Sequence, residues 1–361
     1  MVRLERSFPN LTAFTKQKYR RQPKAGRNTT STPLMKDHQF RNRVVEGSLT
    51  LPVMSCVTFL SWLLSHSIDN VAAWLTMAMV ALLTYAIVEC NNQCQLLRIR
   101  SRMVSATFLA FVSAIPAFHA ITWHWIPAAS LLLAYFVAFK AYGQLHPQGW
   151  VFHAFMYVGI GSVVFPPLLL VVPFMLFSFS HQLRILTGKA FTAALLGLAL
   201  PYWMYGTFCF ITGWDLKRLL AAWTRAVQPG LPDYSCIEGW QVAVFAFILF
   251  LALVSMFHFV HTSYNDKIRT RQYYYCIFSV QLPLLFIAVW FPDCALFTLP
   301  LFLTNSVPFI AHYFALARGR FMNRWFICCI LLLLVVAAFN YLDLWQWIVL
   351  QVSGNVPLSF L

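Results

Sequence analysis

Between Ser48 and Leu342 the chain is almost one continuous succession of apolar stretches, and this limits what it can fold into more than any other property. Eleven segments can be marked: Ser48 to Leu64, Ala72 to Val88, Met103 to Ala120, Pro127 to Phe139, Trp150 to Phe165, Pro167 to Phe179, Phe191 to Ile211, Val242 to His258, Tyr275 to Phe291, Ala295 to Ala317, and Trp325 to Leu342. A helix needs about 17 to 25 largely apolar residues to cross the hydrocarbon of a bilayer, and most of the segments lie near that length. Backbone N–H and C=O groups find no water inside a bilayer, so such segments must satisfy them internally, as helices do. Charged residues are 10% of the chain, against roughly 25% in soluble domains, and the mean hydropathy is +0.67. The expectation is an all-α, polytopic transmembrane helical bundle of about 11 spans over residues 48–343.

The stretch from Trp150 to Thr212 organises that bundle. Pro166 and Pro167 lack an N–H and clash with the preceding turn, so a hairpin is expected after Phe165, its two short helices packed back to back across Gly159 and Gly161. A basic loop with Arg184 and Lys189 follows, then a span through Gly197, Pro201 and Gly206.

Charge sets the orientation. Of 26 Lys and Arg, eleven fall in the first 43 residues, and an arrangement with the N-terminus inside leaves 23 on the inner side and only Lys217, Arg218 and Arg225 outside. The excess of Lys and Arg on one side is the mark of the cytoplasmic face. Residues 1–47 read as a disordered basic cytoplasmic tail and residues 344–361 as an outer-face C-terminal tail. The net charge of +15 is thus directed at anionic lipid headgroups rather than nucleic acid. No cleavable leader is visible, because the first apolar run begins near residue 48 without a small-residue cleavage site after it. Outer connections are short except residues 213–241, where Leu216, Leu219, Leu220, Trp223 and Val227 recur at helical spacing, as in an interfacial amphipathic helix.

The elements VFHAFMYVGIGSVVF, PPLLLVVPFMLFSF, SHQLRILTGK and AFTAALLGLALPYWMYG resemble a pattern of the GT-C class of membrane glycosyltransferases. The chain as a whole is similar to an uncharacterised bacterial family of polytopic inner-membrane proteins. The GT-C resemblance implies transfer of a sugar from a polyprenyl-phosphate donor on the outer face, with an acidic residue in the first outer loop as base. That loop is here only Ser65 to Asn70, and Asp69 is its one carboxylate.

Asp69 is the candidate catalytic base, since a carboxylate near an acceptor hydroxyl can take its proton; an N-cap at the start of the next helix is the structural reading of the same residue. Arg218 and Arg225 are candidates for clamping a lipid phosphate, for which guanidinium has matching geometry, or for snorkelling surface positions. Polar residues within spans mark function by default, and Gln281 near Pro283 with Asn305 near Pro308 are the candidate lining of a transport path; interhelical hydrogen bonding is the alternative. His119 and His124 lie among Trp123 and Trp125 without a completing ligand, so no metal and no cofactor is expected. Cys236 and Cys294 are the pair open to a disulfide. Nucleotide-binding, zinc-protease and serine-hydrolase motifs are missing from the sequence. Three functions follow: work on, or scaffolding of, lipid-linked glycan or envelope assembly in a bacterial inner membrane; a transporter or flippase; or a non-catalytic scaffold for envelope partners.

Overall fold

The computed structural model describes residues 40–65, 70–120, 123–213, 221, 223–224, 232–317, 319, 321–342 and 344. Among them every regular element is helical: α1 Phe40–Glu46, α2 Thr50–Ser65, α3 Val71–Cys94, α4 Met103–Ala114, α5 Ile126–Ala141, α6 Gln148–Val164, α7 Val171–His181, α8 Gly188–Thr212, α9 Gly239–Thr262, α10 Ile268–Trp290, α11 Ala295–Leu316 and α12 Met322–Tyr341. The protein is a multi-pass helical bundle. Each of the eleven apolar segments carries a helix, α2 to α12, but seven are long and apolar enough to cross a membrane, or eight if α1 and α2 count as one broken span. The count of eleven fails on length: α4, with 12 residues, rises only about 18 Å at ~1.5 Å per residue, short of a hydrocarbon layer of ~30 Å.

The bundle is built around α11. Its few polar residues, Asn305, Ser306 and His312 among them, are themselves buried, and 78% of its most apolar window is buried against α4, α5, α9 and α10. At the other extreme, α12 buries 11% of its window and α8 22%. Successive helices run in alternate directions, as hydrogen bonds between their ends record. At one end, Ser101 Oγ donates to Val45 O (2.6 Å), Thr270 Oγ1 to Gln95 O (3.3 Å) and Tyr273 OH to Phe139 O (2.9 Å). This is the basic end, with Arg98, Arg100, Arg102, Lys140, Lys267, Arg269, Arg271 and Arg324. At the other end Trp62 Nε1 donates to Ala73 O at 3.0 Å and Tyr234 OH to Val289 O at 2.9 Å.

After Phe165 the chain turns through a 3₁₀ segment, Pro166–Leu170, before α7. The two glycines do not join α6 to α7. Gly159 lies against Leu198 and Pro201 of α8, Gly161 against Ser130 of α5 and Leu168, while α7 packs on α10. The close approach the glycines allow is therefore made with the helices on either side of the hairpin. Residues 40–46, assigned to the tail by sequence, form α1, which meets α2 at 92°. Of the interfacial helix expected within 213–241, Trp223 is described, its ring meeting Tyr202 edge-on at 5.5 Å.

Candidate functional site

Asp69, Arg218 and Arg225 lie outside the described residues. The capping role open to Asp69 is taken by Asn70, whose side chain accepts from Ala73 N at 3.2 Å. Gln281 and Asn305 are brought together. Asn305 Nδ2 donates to Gln281 Oε1 and to Ile277 O (3.3 Å), Tyr135 OH donates to Asn305 Oδ1 (2.7 Å), and Gln281 Nε2 donates to Ser306 Oγ (2.9 Å). Both residues are buried, at 5% and 1% exposure. Amides in an apolar interior need such partners, and here they cross-link α5, α10 and α11.

A second buried cluster holds charge at the basic end. Asp266 follows the 3₁₀ turn after α9; its Oδ1 lies 2.7 Å from Arg98 Nε and its Oδ2 3.2 Å from His312 Nε2 of α11. At the opposite end His119 Nδ1 lies 2.6 Å from Ser65 Oγ, and the ring stacks on Trp62. Cys236 and Cys294 are both free thiols, and Cys236 Sγ donates to Asp293 Oδ1 at 2.9 Å. That carboxylate, as acceptor and as neighbouring charge, pushes the Cys236 thiol up from its ordinary range.

A feature with room for a ligand lies elsewhere, between α2, α4, α9, α11 and α12. It is a cavity of about 400 Å³ whose wall is almost wholly apolar. On α2 its lining runs from Thr50 to Ser61 and on α12 from Phe326 to Ala337, a length of about 16 Å along either helix. Small side chains on α4 make the space: Ala106, Ala110 and Ala114 recur every fourth residue on one face and line it. Three of the four polar side chains in its wall are internally bonded: Thr50 Oγ1 donates to Val44 O (2.6 Å), Ser61 Oγ to Thr58 O (2.7 Å) and Ser113 Oγ to Ala110 O (3.0 Å). Thr107 is the fourth, and its buried hydroxyl has no partner.

Both ends of the cavity are fastened. At the basic end α1 is tied to the end of α11 and the start of α12, with Arg41 Nη1 donating to Ala317 O and Arg41 N to Asn323 Oδ1 (3.0 Å). Three exposed arginines stand one or two residues before lining residues there: Arg43 before Val44, Arg102 before Met103, and Arg324 before Phe326. At the far end Tyr341 OH is within hydrogen-bond distance of Ser61 O (3.2 Å) and Ser113 O (3.1 Å), and Asn340 Nδ2 donates to Ala114 O (3.1 Å). An elongated apolar cavity with exposed arginines at the same end of the bundle can hold a hydrocarbon chain whose anionic head lies at that end.

Sequence reasoning counted the three arginines for orientation and did not connect them with a cavity. The signal that points to the cavity is the four-residue spacing of alanines on α4, legible only beside knowledge of which helix α4 faces. Fold and cavity together are those of a multi-pass membrane protein with a partly open apolar cavity. No protein-family model matches the chain, nor does any curated protein sequence or any solved structure.

Proposed function

We propose that the protein binds one lipid phosphate, with a hydrocarbon chain in the α2/α4/α12 cavity and the phosphate among Arg43, Arg102 and Arg324. The supporting observation is an almost wholly apolar cavity of about 400 Å³ with three exposed arginines one or two residues away in sequence from lining residues at the basic end of the bundle. In a bacterial inner membrane with the basic end cytoplasmic, as the distribution of Lys and Arg favours, the head would sit in the cytosolic leaflet. The role is then to hold or present a lipid for lipid-linked glycan or envelope assembly from the cytosolic side, opposite to the outer-face transfer that the GT-C resemblance implies. Transport along Gln281 and Asn305 draws less support, because those amides bond to each other and to Tyr135 and Ser306.

The test is native mass spectrometry of the full chain extracted from membranes in mild detergent. One phosphate-bearing lipid per chain is expected, lost in Ala110→Phe, which fills the cavity, and weakened in an Arg43→Gln/Arg102→Gln/Arg324→Gln variant. Equal lipid retention by the wild type and a folded Ala110→Phe chain would rule the proposal out.

A further inference from the structure

We infer that Cys236 and Cys294 are a redox-active pair of thiols that closes to a disulfide by exchange with a small disulfide, joining the turn before α9 to the turn between α10 and α11. The inference stands apart from the lipid reading and concerns the other end of the bundle.

Two three-residue 3₁₀ turns, Tyr234–Cys236 and Pro292–Cys294, set the pair. Each turn ends on its cysteine, and the two turns pack against each other. Two bonds hold them together. Tyr234 OH donates to Val289 O at 2.9 Å, and Cys236 Sγ donates at 2.9 Å to Oδ1 of Asp293, the residue next to Cys294. The two thiols are electrostatic neighbours, and both are free. A disulfide asks for Cα atoms about 4.4–6.8 Å apart, the spacing of backbones in contact, so closure is a matter of side-chain rotation and a small shift of one turn.

Exposure assigns the order of events. Cys236 is exposed and Cys294 half-buried, so an incoming disulfide meets Cys236 first. The thiolate is the attacking species, formed when the Cys236 S–H that bonds Asp293 gives its proton to solvent. Its sulfur displaces one thiolate from the reagent and forms a mixed disulfide. Cys294, deprotonated in turn, attacks the Cys236 sulfur and expels the second thiolate. The two cysteines have then lost two electrons and two protons, and the reagent disulfide has been reduced to two thiols. The first step also removes the S–H that tied Cys236 to Asp293, which leaves the sulfur able to turn towards Cys294. Cys90 and Cys94, on adjacent turns of α3, are both buried at 3% exposure and so shielded from a dissolved reagent. Closure ties the approach to α9 to the α10–α11 turn, and a cross-link between residues far apart in sequence stabilises chiefly by restricting the unfolded chain.

The experiment uses the full chain in mild detergent, reduced, freed of reductant and exposed to excess oxidised glutathione at mildly alkaline pH. Acid quenching, alkylation in denaturant and peptide mass spectrometry then report the state of each cysteine. Peptides joined through Cys236 and Cys294 are expected as the main product at these positions. In Cys294→Ser, Cys236 should stop at the mixed disulfide with glutathione, and in Cys236→Ser the Cys294 thiol should stay largely open to alkylation. A wild-type chain that halts at the mixed disulfide with Cys294 free, links Cys236 to a different cysteine, or keeps Cys236 as a thiol overturns the inference. So does an equal yield of the link from chain unfolded in SDS, which would trace it to chance encounter. Lipid retention is read separately, and none of these results bears on it.

Discussion

Arg98 Nε lies 2.7 Å from Asp266 Oδ1, joining the segment after α3 to the turn between α9 and α10. The contact is ionic, since the N–H is not aligned for a hydrogen bond, and the carboxylate side chain is fully buried while Arg98 keeps about a third of its surface exposed. His312 holds the other carboxylate oxygen. A buried charge deprived of a partner is expensive, and the exposure of Arg98 moderates the effect. Arg98→Ala should lower stability by about 1–2 kcal/mol, and the double-mutant cycle with Asp266→Asn should show losses well short of additive. Thermal unfolding in detergent measures this, and additive losses would mean that the two groups are not coupled.

Glycine matters at one position of α8 and not at another. A Cβ on Gly197 would press into the carbonyl of Phe152 on α6, whereas one on Gly206 meets nothing within 4 Å. Gly197→Ala should cost about 1–3 kcal/mol, because backbone rather than a flexible side chain must move. Gly206→Ala should be neutral or stabilising by up to about 1 kcal/mol, as in any exposed helix. A matched pair of melting curves decides the point; equal behaviour would mean that α6 and α8 are not packed at this register.

Cys236 offers a chemical readout of the turns at residues 234–236 and 292–294. Because Asp293 accepts its S–H and its charge opposes a thiolate, less of the thiol is ionised at neutral pH than in an ordinary exposed cysteine. Alkylation of Cys236 should therefore be slow and its rate should climb with pH above the usual midpoint. In Asp293→Asn the rate at pH 7.5 should rise. A rate insensitive to that change would show that the turns at residues 234–236 and 292–294 do not meet as described.

What the sequence made legible follows from what the membrane demands. Eleven apolar runs had to be helices, and Pro166 and Pro167 had to end α6, because each outcome is fixed by backbone chemistry within a few residues. Partner choice was another matter. In lipid no polar face marks the outside of a helix, so nothing local says that Gly159 faces α8 rather than α7. Whether α4 crosses the bilayer depends on its stopping at Ala114, one residue before Ile115 and Pro116 break it. Gln281 and Asn305 stood out as polar residues within spans, and sequence could not tell that they would meet each other. Thr107 carried no distinguishing mark, since its lack of a bond is a property of three dimensions alone.

The way α12 is held has a consequence for how the chamber fills. Asn323 near its first turn and Asn340 and Tyr341 in its last are tied to α1, α2 and α4, while Leu331, Leu334 and Val335 between them stand exposed. A rod pinned at both tips flexes like a bowstring, widest at mid-span. A tail would therefore slip in sideways from the surrounding acyl chains, and the pace of exchange should track the stiffness of the bilayer more closely than the composition of the water on either side.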